Sequence, residues 1–207
     1  MSARDIAVVI IKQEHQSLAR VLHILQDMLA RVSAGHASPE FGLFSAALYY
    51  IDDFQEQCHH PKEDEYLFRF LRASSPKFNS VIDGLQAAHV SSAQAISQLN
   101  RHLVQYQGGA PFGLESLRAG VEAYAEQMYE HMRCEEELLE GSRNAIGEQD
   151  WVQIAAAFDE NDDPLFGNNR RQHFGLLYQR IRVMVPRKLK KDLDPAGRSE
   201  RPAGTPC

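Results

Sequence analysis

His59-His60-Pro61-Lys62-Glu63-Asp64 and His131-Met132-Arg133-Cys134-Glu135-Glu136 read alike: each holds H-x-x-x-E followed at once by a second acid. On a helix, residues four apart lie one above the other on the same face. A neutral imidazole and a carboxylate converging on one point form a set of donors suited to a divalent metal. Each pair has an isolated His upstream, His15 before the first and His89 before the second. The offsets are 89 − 15 = 74 and 131 − 59 = 72 residues, so the pattern H…HxxxE occurs twice, as a two-helix repeat.

The apolar pattern around these residues is helical. Val8, Ile11, His15, Leu18, Leu22, Leu25 and Leu29 recur at steps of three and four, which predicts a first helix over 5–31. Ser38 and Pro39 are expected to open a second helix running to residue 72. Its inner face should hold Leu48, Asp52, Gln55, His59, Glu63, Tyr66 and Phe70. Pro61 falls inside it and should kink the helix or begin a new segment, which makes His60/Asp64 a rival to His59/Glu63. A third helix follows from Pro76 to about residue 105, with His89 on a stripe of Phe78, Ile82, Leu85, Ile96 and Leu99. After Gly108-Gly109-Ala110-Pro111 a fourth runs over about 112–140, with Leu117, Val121, Tyr124, Met128, His131 and Glu135 inward.

Four long amphipathic helices with short connections predict an all-α fold, an antiparallel up-down-up-down four-helix bundle with extra C-terminal helices. In that arrangement His15, His59, His89 and His131 fall at one depth. Shorter helices are expected near 150–160 and 170–185, separated by the turn-rich stretch 161–169. The expected division is a bundle over 1–145, a helical extension packing on it over 146–186, and a disordered tail over 187–207.

Composition sets the outer limits. The chain has 207 residues, 43% hydrophobic and 24% charged, which suits one soluble globular domain. A net charge of −6 argues against nucleic acid as the main partner. No apolar run is long enough to span a bilayer, and the N-terminus reads as a helix start, not a signal peptide. Three Cys at irregular spacing form no disulfide framework, so a reduced cytoplasm is the expected location.

Four His and two Glu at mid-depth in a bundle suit a dinuclear site bridged by carboxylates. Nitrogen and oxygen donors without thiolate favour iron, with Mn or Zn as substitutes. The bland alternative is a buried hydrogen-bond network without metal. The order H…HxxxE…H…HxxxE over about residues 5–140 resembles the hemerythrin-type HHE cation-binding domain, and Asp162-Asp163-Pro164-Leu165-Phe166-Gly167 is similar to a C-terminal feature of bacterial members. The resemblance implies two iron ions, oxo- or hydroxo-bridged, held by His15, His59, Glu63, His89, His131 and Glu135, with both Glu bridging. Oxygen-carrying hemerythrins have HxxxH on the third helix; here position 93 is Ala, so a fifth His is missing. That favours redox chemistry or sensing with dioxygen, peroxide or nitric oxide over reversible oxygen carriage. The six-residue pattern also resembles di-iron proteins of iron–sulfur cluster repair, so an iron donor or storage protein with an iron–sulfur client is the alternative. No enzyme nucleophile or substrate pocket can be read, which leaves enzyme status open, and a homodimer is a further expectation.

Other polar residues receive blander readings. Asp52 and Gln55 are expected to hold ligand His N–H groups, and His60 is expected to be exposed or to act beside the ligands. Glu14, Asp64 and Glu136 read as solvated or pairing charges. Tyr66 and Tyr124 read as aromatic core, with hydrogen-bond donation to the site as the alternative; Cys58 and Cys134 read as small buried residues, with redox sensing as the lesser reading. His23, His36, His102 and His173 have no matching partners. The basic residues after Arg187 read as a solvated tail.

Overall fold

The computed structural model describes residues 1–165 together with 177–179 and 183, and contains no strand among them. Helix α1 spans Ala3–Ser33 and opens on a capping box: the Ser2 hydroxyl accepts from the Asp5 N–H, and the Asp5 carboxylate accepts from the Ser2 N–H. Helix α2 is continuous over 41–74. It begins at Phe41 without a side-chain cap, two residues after Pro39, so Ser38 does not cap it. Ser75 caps a short 3₁₀ turn, Pro76–Phe78, which leads into α3, Asn79–Gln107. Helix α4 spans Gly113–Gly141, and α5 spans Glu148–Asp159. The turn before α4 is tight: a Cβ on Gly113 would lie 2.7 Å from the Tyr106 Cα, so only glycine lets the two helices approach there.

The helices run antiparallel, as side-chain pairs show. Arg72 meets Asp83, Asp64 meets Gln86 and His89, and Glu56 meets Ser92, so α2 and α3 run in opposite directions. His15 meets Glu135 while Arg4 meets Glu140, which sets α1 against α4. α3 and α4 pack along their length, Leu99 against Gly120 near one end and His89 against His131 beyond the middle. The bundle expectation therefore holds. None of the described helices is long and apolar enough to cross a membrane.

Pro61 neither breaks nor visibly ends α2. The helix widens to π geometry over Ile51–His59 and again over Glu63–Phe68, with a short α-helical stretch, His60–Lys62, between. The His60 N–H reaches Gln55 O, five residues back. The wider turn moves aside the carbonyl that a proline ring would strike in an α-helix, and this is how the helix carries proline inside it. It also rotates the chain less per residue than an α-helix does. The inward face consequently drifts: past Glu63 it passes to Leu67, Phe68 and Leu71, while Tyr66 and Phe70 are only half-buried.

Two apolar clusters fill the bundle. One joins Leu18, Leu22 and Leu25 of α1 to Phe44, Leu48, Phe54, Ile96, Leu99, Val121 and Met128. The other joins Ala7 and Ile11 to Leu67, Phe68, Ile82, Leu85, Leu139, Trp151 and Phe158. Between them lies a polar layer. α5 covers this layer on the α1 side, where the Phe158 ring meets His59 edge-on with centroids 5.9 Å apart. Phe158 is fully buried. Phe158→Ala should lower stability by about 3–5 kcal/mol, read by urea denaturation, because the cavity opens at a junction of three helices that cannot collapse onto it. The expected helix over 170–185 and the tail over 187–207 lie outside the described residues, apart from 177–179 and 183, which are helical.

Candidate metal centre

The polar layer brings together all six residues singled out by the repeat, and one more. His15 comes from α1, His59, His60 and Glu63 from α2, His89 from α3, and His131 and Glu135 from α4; every one is buried, none more than 6% exposed. They form two groups of four whose ligating atoms lie within 4.8 Å of one another: His15, His59, Glu63 and Glu135, and His60, Glu63, His89 and His131. Glu63 belongs to both. Its Oε1 lies 2.5 Å from His59 Nε2 and 3.7 Å from His15 Nε2, while its Oε2 lies 3.2 Å from His89 Nε2. Glu135 Oε2 lies 3.2 Å from His15 Nε2 and 3.8 Å from His131 Nε2, but Glu135 belongs to the first group alone, whereas the resemblance implies that both Glu bridge.

His60 is expected from the sequence at the surface or beside the ligands, and the first alternative is ruled out. It is 2% exposed and its ring stacks on His89, with centroids 4.1 Å apart and planes 12° from parallel. The slower rotation of the π turns lets two consecutive residues, His59 and His60, both face inward, one toward each group. On α3, Ala93 lies on the exposed face and the inward position is Ser92, so the fifth imidazole of the layer comes from α2.

The partners of the rings differ in part from the sequence reading. Four of the five imidazoles have a carboxylate on Nδ1. Glu14 holds His59 at 2.7 Å, Glu56 holds His60 at 3.1 Å, Asp64 holds His89 at 3.2 Å and Glu136 lies 3.4 Å from His15. Each fixes the tautomer that leaves Nε2 directed at the centre. Of the two readings of Glu14, Asp64 and Glu136, solvated or pairing charges, the pairing one holds, and each reaches from its own helix to the His of a neighbour. Asn161 donates to both oxygens of Glu14, so the segment after α5 supports the site. Asp52 is only half-buried, and Gln55, though buried, holds no ring. His131 Nδ1 is buried without a hydrogen-bond partner.

These donors fit a cation. The Nε2 atoms of His15, His59 and His60 and all four oxygens of Glu63 and Glu135 are buried and make no hydrogen bond, although they crowd together. They meet only as crowded nitrogen–oxygen pairs of 2.5–3.8 Å, an arrangement that protons on the rings or a shared divalent ion would satisfy. The proton affinities carry the same message. Burial opposes charge on His59, but Glu63 and Glu14 outweigh it and raise its pKa to about 9. Burial is likewise outweighed on His89, by Asp64 and Glu63, which raise it to about 10. His15 is held well above its ordinary value against burial, chiefly by Glu135. Burial keeps His60 low despite Glu56, and it drives His131 down to about 3 despite Glu63. Burial and the charge of Glu63 push Glu135 up to about 7. Without a cation, the carboxylates draw protons onto the rings.

A proton count tests this. Metal ligation needs neutral imidazole and ionised carboxylate, so at pH 7 loading should release about three to four protons per chain, from His15, His59 and His89 and in part from Glu135. A weakly buffered indicator titration with a divalent metal measures it, and affinity should fall as pH falls. In the metal-free protein the sign is the opposite. The raised pKa values of His59 and His89 contribute stability fully below about pH 6.5, the unfolded value. That contribution is lost as pH rises through about 9 for His59 and about 10 for His89.

A family model for the hemerythrin HHE cation-binding domain matches residues 7–141 of this chain. No curated protein and no solved structure matches it.

Proposed function

Because the chain belongs to the hemerythrin HHE cation-binding family, we propose that its centre holds two iron ions and reacts with dioxygen, peroxide or nitric oxide. The observation that carries this reading is Glu63, one buried carboxylate whose two oxygens face two separate clusters of histidines. His15, His59 and Glu135 would complete one ion's set with Glu63; His60, His89 and His131 would complete the other's. Donors of imidazole and carboxylate without thiolate suit iron, with Mn or Zn as substitutes. When bound, the iron pair supplies one-electron steps and a place for a small oxygen- or nitrogen-containing molecule.

The chain's own part is to hold, orient and exclude. Glu14, Glu56, Asp64 and Glu136 orient the rings and add negative charge beside them, which favours the more positive, oxidised metal state over reversible carriage. The two apolar clusters and α5 keep bulk water from the layer. That chemistry suits a role in redox sensing or in protection against oxidative and nitrosative stress. The test is metal content on freshly purified, iron-replete protein, with an optical spectrum in air and after peroxide. Two irons per chain, near-ultraviolet oxo-bridge bands and consumption of peroxide are expected. One iron or none would overturn the di-iron reading. Iron lost to a mild chelator and passed to an apo-cluster protein would favour an iron donor instead.

A further inference from the structure

Glu56 does more than hold His60. Its Oε2 accepts from His60 Nδ1 at 3.1 Å, and its Oε1 accepts from the Tyr124 hydroxyl, also at 3.1 Å. Ser92 donates to the same Oε1, and its Oγ lies 3.2 Å from the Tyr124 oxygen. Tyr124 is 2% exposed, and Ser92 is fully buried. A phenol, a carboxylate and a candidate ligand ring thus form one unbroken line inside the bundle. Tyr50 is buried as well, but its hydroxyl donates to Asp163, whose other oxygen accepts from the Leu165 N–H. That carboxylate holds no ring of the centre.

From this line we infer that Tyr124 is a one-electron donor to the centre, oxidised to a neutral tyrosyl radical when peroxide is reduced. The inference rests on the iron reading above. Cleaving the O–O bond of hydrogen peroxide to two waters takes two electrons and two protons. A half-oxidised iron pair held by these residues would supply one of the electrons. Tyr124 supplies the other by way of Glu56 and His60. The phenol O–H bond breaks and its proton moves along the hydrogen bond to the Glu56 carboxylate. The two protons consumed by peroxide come from solvent. Tyr124 suits the role because burial and the Glu56 charge push its pKa well above 10, so the hydroxyl keeps its proton until it is oxidised. Its site, shielded from solvent, protects a radical from quenching. The phenol therefore provides a second electron where the metals hold only one.

The experiment uses iron-loaded full-length protein, reduced by one electron, mixed with one equivalent of hydrogen peroxide and frozen for electron paramagnetic resonance. A tyrosyl signal is expected in the wild type and in Tyr50→Phe, narrowed when the protein is made with ring-deuterated tyrosine. In Tyr124→Phe the signal should fall at least tenfold while the iron content is unchanged. An unchanged signal in Tyr124→Phe, or none in iron-loaded wild type, would overturn the proposal alone. Wild type that holds no iron pair would overturn the iron reading and this proposal with it.

Discussion

On the proposed two-ion reading, Glu63→Ala should strip both ions from the protein. In the wild type Oε1 faces His15 and His59 while Oε2 faces His89, so the carboxylate is the one donor common to both clusters. Its removal leaves each ion with three protein donors and deprives the pair of its bridge. The effect should exceed that of removing any carboxylate that only holds a ring, which typically weakens metal binding about 10–100-fold. Metal content after gel filtration through a mild chelator should drop to background, where the wild type keeps its ions. The metal-free variant should still fold, because Glu135 remains as a partner for His15 at 3.2 Å. Circular dichroism at helical wavelengths separates loss of metal from loss of fold. Retention of both ions by a folded Glu63→Ala protein would remove the basis for a bridged centre.

His60→Ala should remove one ion and spare the other. Only the cluster with His89 and His131 includes His60; the cluster of His15, His59, Glu63 and Glu135 is complete without it. Iron content should halve, and bands that require an oxo bridge should vanish with the second ion. The variant also leaves the Glu56 carboxylate without the ring at its Oε2, although Ser92 and Tyr124 still hold Oε1. Glu56→Gln gives a graded control. It keeps the His60 ring but weakens its orientation, so the second ion should bind about 10–100-fold less tightly while the first is unaffected. Two ions held with unchanged affinity in His60→Ala would return His60 to a packing role.

Much of this molecule is legible in one dimension. A helical period assigns each residue to a face, so a His or Glu that interrupts an apolar stripe must point inward wherever that stripe packs. This rule together with the repeated H…HxxxE pattern finds His15, His59, Glu63, His89, His131 and Glu135, and the matching offsets of the two repeats place them at one depth. Short connections between long helices make neighbours antiparallel, which yields the bundle.

The period also explains what it misses. It assumes an α-helical step throughout, and α2 departs from that step on both sides of Pro61. The slower rotation there turns His60 inward and moves the later face from Tyr66 and Phe70 to Leu67, Phe68 and Leu71. Pro61 signalled a disturbance, but whether the chain would break, kink or widen depended on the helices packed around it. The carboxylates that hold the rings were hidden for a different reason. Glu14, Asp64 and Glu136 each sit beside a ligand on their own helix and act on the ligand of another. Asn161 reaches Glu14 across 147 residues of chain. Sequence alone therefore determined the helices, their inward faces and six convergent donors, because those depend on local geometry. Tertiary structure decided the seventh donor and the partner of each ring, because those depend on which helix lies beside which and on the turn that packing imposes on α2.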